Sequence, residues 1–496
     1  MRKMELVDIT LRDAQQCLWA TRMTTAEMTP IARTMDDAGF SMIDLTGGAA
    51  IDSSIMYLGE DPFERIRTLS KLMPKTPLNF NTRGQSIFRW MQYADDVAEF
   101  TLELMRRNGI RSIMAFDSLN DVRNIAFSIR KGKALGMNVI GAVSYTISPV
   151  HTDDHFVGKA KELVALGVDA VEIKDQGGIL TPERARQLIP KIRRAVGGKA
   201  QLQLHSHGTF GHGIDSYLEA MKLGEDGVDL LHGASRPLAY GYSLPAHDDI
   251  MNSLSEHGYT TPVSRDAVEE MQAYFTVITR QSGRQEGKVI PIKSEGVAHQ
   301  VPGGMLSNLK QQLDDQGQGH RLPEVLDEIT RVREDIGFPI IVSPMAQYLA
   351  IQAVMNVLTG KRYQIVPQEI KQYVLGYYGA VPGPIDPKAR ELIAGDEQGI
   401  AVAPGSLIEP MMDRYRRELA PYDSDEELAL KIFYSAQDLE KNRVARLNVR
   451  KRSTATDAAS FLAMQLLGNR EIEVCEVDRP DFHFSMKREA DVELTA

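Results

Sequence analysis

Two histidines, His205 and His207 in LQLHSHGTFGHG, close an alternating apolar and polar run. Alternate residues of a strand project to one side, so both imidazoles can face the same space. Imidazole nitrogens joined by a carboxylate form a ligand set suited to Zn²⁺, Mn²⁺ or Co²⁺. Asp13, in LRDAQQC, is the natural carboxylate. A lone H-x-H pair is more often structural than metal-binding, so its position in the fold must decide. Lys174 ends the run DAVEIK. Three chemistries are open to it: a desolvated amine forming a Schiff base, an amine that adds CO₂ and ligates a metal as the carbamate, or a cation paired with Asp175. Spacing alone does not choose among them.

These residues need elements that bring them together. Eight short apolar or alternating runs recur: MELVDIT, FSMIDLT, TPLNFNT, IRSIMAF, MNVIGAVSYT, VDAVEIK, AQLQLHS and VDLLHGA. Amphipathic segments such as TPERARQLIPKIRRAVGG lie between them, several ending on Gly, a common helix stop. A doubly wound open sheet gives the same alternation. The count of eight favours an α/β fold of the TIM (β/α)₈ class over residues 1–300, with its active site at the C-terminal ends of the strands. Those ends carry Arg12 and Asp13, Asp44, Arg83, Asp117, Tyr145, Lys174 and Asp175, and the two histidines. Placement on strand seven, opposite Asp13, turns the H-x-H pair toward the metal reading.

Residues 301–440 read as a mostly helical C-terminal domain, with 3.6-period faces in PEVLDEITRVREDIG and PMAQYLAIQAVMNVLTG. Residues 441–496 read as a charged, irregular tail, expected to pack on the helical domain. Arg450, Lys451 and Arg452 read as solvated surface, and EIEVCEV as an edge strand. The chain has 496 residues, 43% apolar and 25% charged, with a net charge of −10. Mixed acidic and basic residues argue against a general nucleic-acid binder. Cys17 and Cys475 cannot build a disulfide framework. MRKMELVDITLRD lacks the apolar core of a secretory signal, and no apolar run reaches the ~18 residues of a membrane span. A cytoplasmic protein is expected.

Several stretches resemble one family: LRDAQQCLWATRM, GGAAIDSSIMYLGEDPFERIR, FDSLNDVRN, VSYTISPVHT, IKDQGGILTP, PGGMLSNL and LGYYGAVPGP. They are similar to the biotin-dependent carboxyltransferases: the carboxyltransferase domain of pyruvate carboxylase, the α subunit of oxaloacetate decarboxylase and the 5S subunit of transcarboxylase. The match runs from about residue 5 to about residue 390. With no Ala-Met-Lys-Met-like biotin site, the chain resembles the transcarboxylase subunit most. The resemblance implies a divalent metal held by Asp13, His205, His207 and a carbamylated Lys174. It implies that Arg12, Gln16 and Arg83 hold a 2-oxo acid and its enolate, with Gln16 also near biotin. It implies biotin supplied on a separate carrier protein, a biotin carboxylase or second carboxyltransferase subunit as partner, a helical funnel at 301–440, and a homodimer or larger assembly.

The sequence departs from the family pattern at four places. Tyr242, in YGYSLP, falls at or near a threonine that shuttles a proton, so Tyr242 or Ser243 takes that role. Gly208 follows H-x-H where an acidic or small polar residue is usual. Thr46 replaces a tryptophan. Asn81 and Thr82 replace apolar residues before Arg83, and Arg89-Trp90 stands for Gly-Tyr. Together they predict a more polar pocket, by neutral drift or for a 2-oxo acid larger or more polar than pyruvate. Two rival readings remain: a metal-dependent aldol or Claisen-type lyase on the same barrel, as in the relatives of hydroxymethylglutaryl-CoA lyase, and a catalytically degenerate scaffold subunit of a biotin complex.

Overall fold

A computed structural model describes residues 2–89, 91–292, 299–301, 303–449, 474–479 and 482–487. Each of the eight runs forms a strand: β1 (Glu5–Asp8), β2 (Met42–Gly47), β3 (Leu78–Thr82), β4 (Ser112–Ala115), β5 (Asn138–Ser144), β6 (Ala170–Asp175), β7 (Gln201–Ser206) and β8 (Leu230–Gly233). They close in sequence order into a parallel barrel, β8 pairing back onto β1. The register sets Ser144 beside Lys174 and Lys174 beside His205.

The connecting helices carry their own start and stop signals. Thr181 accepts from the Arg184 amide at the head of Pro182–Val196, with Pro182 in the first turn, and Gly197 follows at φ 58°. Asp61 caps Pro62–Leu72 in the same way. After β1 the chain makes a single π-turn, Thr10–Ala14, before Gln15–Trp19. Such a bulge is a frequent mark of a functional site, and this one carries Arg12 and Asp13.

A second apolar cluster joins the helices Gly303–Asp315, Leu322–Asp335, Met345–Thr359, Gln368–Val374 and Pro387–Ala394 through Val325, Ile329, Val332, Leu349 and Ala353, among others. It meets the barrel at the loops after β4 and β5. The buried Arg333 donates to Thr146 Oγ1 at 2.9 Å and to the Ile147 carbonyl at 3.1 Å. The Ala380 amide donates to Asp121 and Asn124 Nδ2 to the Tyr378 carbonyl. Gly379, at φ 126°, packs so tightly that a Cβ would lie 2.8 Å from Asn124 Nδ2.

Further on, Met412, Leu428, Ala429, Phe433 and Tyr434 join the barrel's own apolar cluster. The Tyr434 hydroxyl donates to Asp52, and Asn442 Nδ2 reaches the carbonyls of Ser54, Ile55 and Glu60 in the β2 loop. Residues 474–477 of EIEVCEV lie in a hairpin arm, Val474–Arg479 against Phe482–Lys487. Residues 471–473, Trp90, Pro302 and Arg450 to Arg452 lie outside the described residues.

Candidate active site

At the mouth, His205 Nε2 and His207 Nε2 stand 3.0 Å apart, and Asp13 Oδ2 lies 2.9 Å from the first and 3.2 Å from the second. Neither contact to Oδ2 has hydrogen-bond geometry, so this buried oxygen is left without a donor. Ligand atoms around an ion at ~2.1 Å are themselves about 3 Å apart, the spacing seen here. The His207 Nδ1 faces the Tyr242 carbonyl at 2.7 Å, which can only accept; once a cation displaces the ring's second proton, its Nε2 is the bare nitrogen. An orphaned oxygen and converging imidazole nitrogens fit a divalent cation better than a hydrogen-bonded cluster.

The electrostatics follow from burial and neighbours. Burial opposes ionisation of Asp13, but Arg12 and His207 outweigh it and hold the carboxyl well below the usual range. Burial and the Lys174 cation keep His205 well below an ordinary histidine. Against burial, Cys17 and Asp13 push His207 up to about 10. Arg12 bridges Asp13 at 3.1 Å and Asp44 at 2.7 Å, so it aims the ligand carboxylate. Asp44 in turn accepts from Asn79 and from Asn81. The carboxamide of Asn81 is thus spent on tethering Arg12 through Asp44.

A family profile described as HMGL-like matches residues 3–232, and one described as a conserved carboxylase domain matches residues 297–479. The chain is 40% identical to a pyruvate carboxylase subunit of Methanocaldococcus jannaschii over 84% of its length and 72% of that protein. It is 35% identical to the methylmalonyl-CoA carboxyltransferase 5S subunit of Propionibacterium freudenreichii subsp. shermanii, covering 84% of this chain and 82% of that one. The chain belongs to the biotin-dependent carboxyltransferase family. Among solved structures, the carboxyl transferase domain of Rhizobium etli pyruvate carboxylase with pyruvate superposes at a TM-score of 0.83 and 25% identity, over 98% of this chain and 83% of that domain. The chain spans 46% of a whole pyruvate carboxylase chain of that organism.

In this carboxyltransferase the expected residues do not all meet. Arg12, Asp13, His205 and His207 touch one another. Lys174 is buried beside His205 in register, its Nζ donating to Glu172 at 3.0 Å. Gln16 is half-buried, one residue from Gln15, whose carboxamide is tied to Leu11 and Met23. Arg83 stands at the seam between barrel and helices, where it donates to the Arg89 carbonyl at 2.9 Å and lines a cavity with Asp117, Asn124 and Tyr378. Burial pushes the Asp117 carboxyl up to about 6. Tyr242 contributes its carbonyl, with its side chain half-buried. Of the remaining departures, Thr46 and Thr82 are buried, and the Gly208 amide donates to the Ser243 carbonyl.

Glu172, Gln203 and His232 do not stand out in the sequence. They lie beneath the mouth: His232 Nδ1 is 3.1 Å from His205 Nδ1, and its Nε2 is 3.0 Å from Gln203 Oε1. Lys174 draws the Glu172 carboxyl down to about 2 despite burial. A signal was present, because Gln203 shares the period-two face of His205 and His207, and Glu172 that of Lys174.

Proposed function

We propose that this chain moves a carboxyl group between carboxybiotin, carried on a separate protein, and a 2-oxo acid such as pyruvate or a close analogue. The observation that carries this reading is the Asp13, His205 and His207 triangle, with buried Lys174 on the neighbouring strand of a barrel of this family. A divalent ion bound there, zinc, manganese or cobalt, supplies Lewis-acid stabilisation of developing oxyanion charge.

The chain's own residues would do the rest. Arg12 fixes Asp13 by one hydrogen bond while its other two nitrogens hold Asp44. Lys174, once carbamylated, offers a carboxylate to the triangle and releases its amine from Glu172. Arg83 and Gln16 hold the acid and its enolate, and Tyr242 donates or relays a proton at its hydroxyl. Bringing CO₂ and enolate carbon together is a proximity effect, and fixed guanidinium charge near the enolate oxygen lowers the barrier without reorganisation. A carrier and a biotin carboxylase are the expected partners, in a homodimer or larger assembly in the cytoplasm. None of the helices in the described residues is long and apolar enough to cross a membrane. The HMGL-like match leaves the lyase as second reading; the carboxylase match over 297–479 favours carboxyl transfer.

The test is a panel of 2-oxo acids with a carboxylated carrier or free biotin. The expected result is biotin-stimulated decarboxylation of oxaloacetate or a close analogue, lost on removing metal. No transfer to any acid, or full activity after stripping metal, would overturn the reading.

A further inference from the structure

We propose that Gln203 and His232 are positioning residues that decide which ring nitrogen of His205 carries hydrogen. The inference rests on reading Asp13, His205 and His207 as a cation site. A histidine can ligate only through a bare nitrogen, and its other nitrogen must then hold the hydrogen and find an acceptor.

The acceptor here is indirect. Gln203 Oε1 has no hydrogen, so His232 Nε2, 3.0 Å away, must be the donor. Neutral His232 is then left with a bare Nδ1. That atom lies 3.1 Å from His205 Nδ1, and one hydrogen must sit between them, so His205 supplies it. The Nε2 of His205 is thereby bare, and it is the atom aimed at Asp13 and His207. On the other ring, the Tyr242 carbonyl performs the same office for His207 in one step. Two acceptors that cannot donate thus bracket the pair, and both lone pairs face the same point.

Glu172 could have been the natural acceptor, but its oxygens are 4.0 Å from His205 Nδ1 and 3.8 Å from His232 Nε2. It is held instead by the Lys174 amine at 3.0 Å. The three groups also lie close enough to form a second cation cage. A cage there would draw on His205 Nδ1, which faces Glu172 and His232, and a neutral ring has only one bare nitrogen to give, so the same ring could not also offer Nε2 to the Asp13 and His207 side.

The experiment uses full-length protein with ¹⁵N-labelled histidine, metal-free and zinc-loaded, with His205 assigned from His205→Gln. In both forms the His205 ring should show hydrogen on Nδ1 and a bare Nε2. Gln203→Met, which keeps shape and removes the acceptor, should mix the two ring forms and weaken zinc binding about 10- to 100-fold in a chelator competition. His232→Leu should do the same. His232→Gln, whose carboxamide oxygen can accept from Nδ1 directly, should restore most of the affinity. Hydrogen on Nε2 of His205 in the unaltered protein would overturn the proposal whether or not the variants fold. Unchanged zinc affinity in Gln203→Met and His232→Leu would also overturn it, as would two zinc ions per chain lost together in His232→Leu. The predicted ring form in a protein that binds no zinc would uphold the relay and bring down the cation site.

Discussion

Inside the barrel, the axis is lined by Asp44, Asn79, Asn81, Glu172, Lys174, Gln203, His205 and His232, all buried. Inside the helical region, comparable positions hold Val325, Ile329, Val332, Leu349 and Ala353. Branched apolar residues usually fill a barrel of this kind in layers. Here charge and amide dipoles replace them, and each polar group must be matched or left costly. Most are matched in a chain of contacts from Asn79 through Asp44 and Arg12 to Asp13. Matching fails at Asn79 Oδ1 and at Asp13 Oδ2, and at the second, where two imidazole nitrogens converge, a ligand is called for. Among the described residues the helical core has one such oxygen too, Gln352 Oε1, but no imidazoles converge on it, and its buried Gln352, Asn356 and Glu328 are linked to one another by hydrogen bonds.

Substitutions should therefore break the two regions differently. Asp13→Ala has the largest expected effect: metal content near zero by elemental analysis and activity at background, with the barrel still folded by circular dichroism. Retained metal and turnover would remove Asp13 from the site. Lys174→Ala should also abolish activity and weaken metal retention. Arg83→Lys should lower kcat/KM about 10- to 100-fold, since a charge-assisted hydrogen bond contributes roughly 1.5–3 kcal/mol; near-normal rates would show that Arg83 does not hold the enolate. Leu349→Ala should cost about 2–5 kcal/mol in denaturant unfolding through an unfilled cavity, while metal content stays unchanged. Metal loss in that variant would mean the two cores are not separable.

The smallest effect lies on the seam. Burial, with His155 and Arg333 beside it, pushes His151 down to about 3. The folded ring stays neutral while the unfolded ring takes a proton below 6.5, so stability is present above that value and is lost as pH falls toward 3. Between pH 7.5 and pH 5 the protein should lose about 2 kcal/mol more than His151→Gln. Equal losses in urea titrations would show that His151 does not report on the seam.

All eight strands were legible because each is a short apolar run bounded by turn residues, a local signal. Asp13, His205 and His207 could be singled out because the i, i+2 spacing turns two imidazoles to one side of a strand and barrel closure sets the aspartate that follows the first strand near them. His232 was not, since a single histidine in VDLLHGA looks like strand filler until Gln203 and His205 stand across from it. Asn81 misled for the same reason: its type suggested pocket polarity, whereas its partner is Asp44. Arg83 shows a further limit. Its strand end was evident, but its approach to the seam depends on the β3 loop, whose path is set by Asp52 and the Arg89 amide.

The clasp made by Tyr434 and Asn442 has a consequence for how the molecule is made. The loop they grip follows the second strand, yet both residues are added some 380 positions later. On the ribosome, the eight strands can close long before that loop receives its last partners. Competence would then come late in translation, and a nascent barrel would wait, shaped but unfinished, until Asn442 emerges.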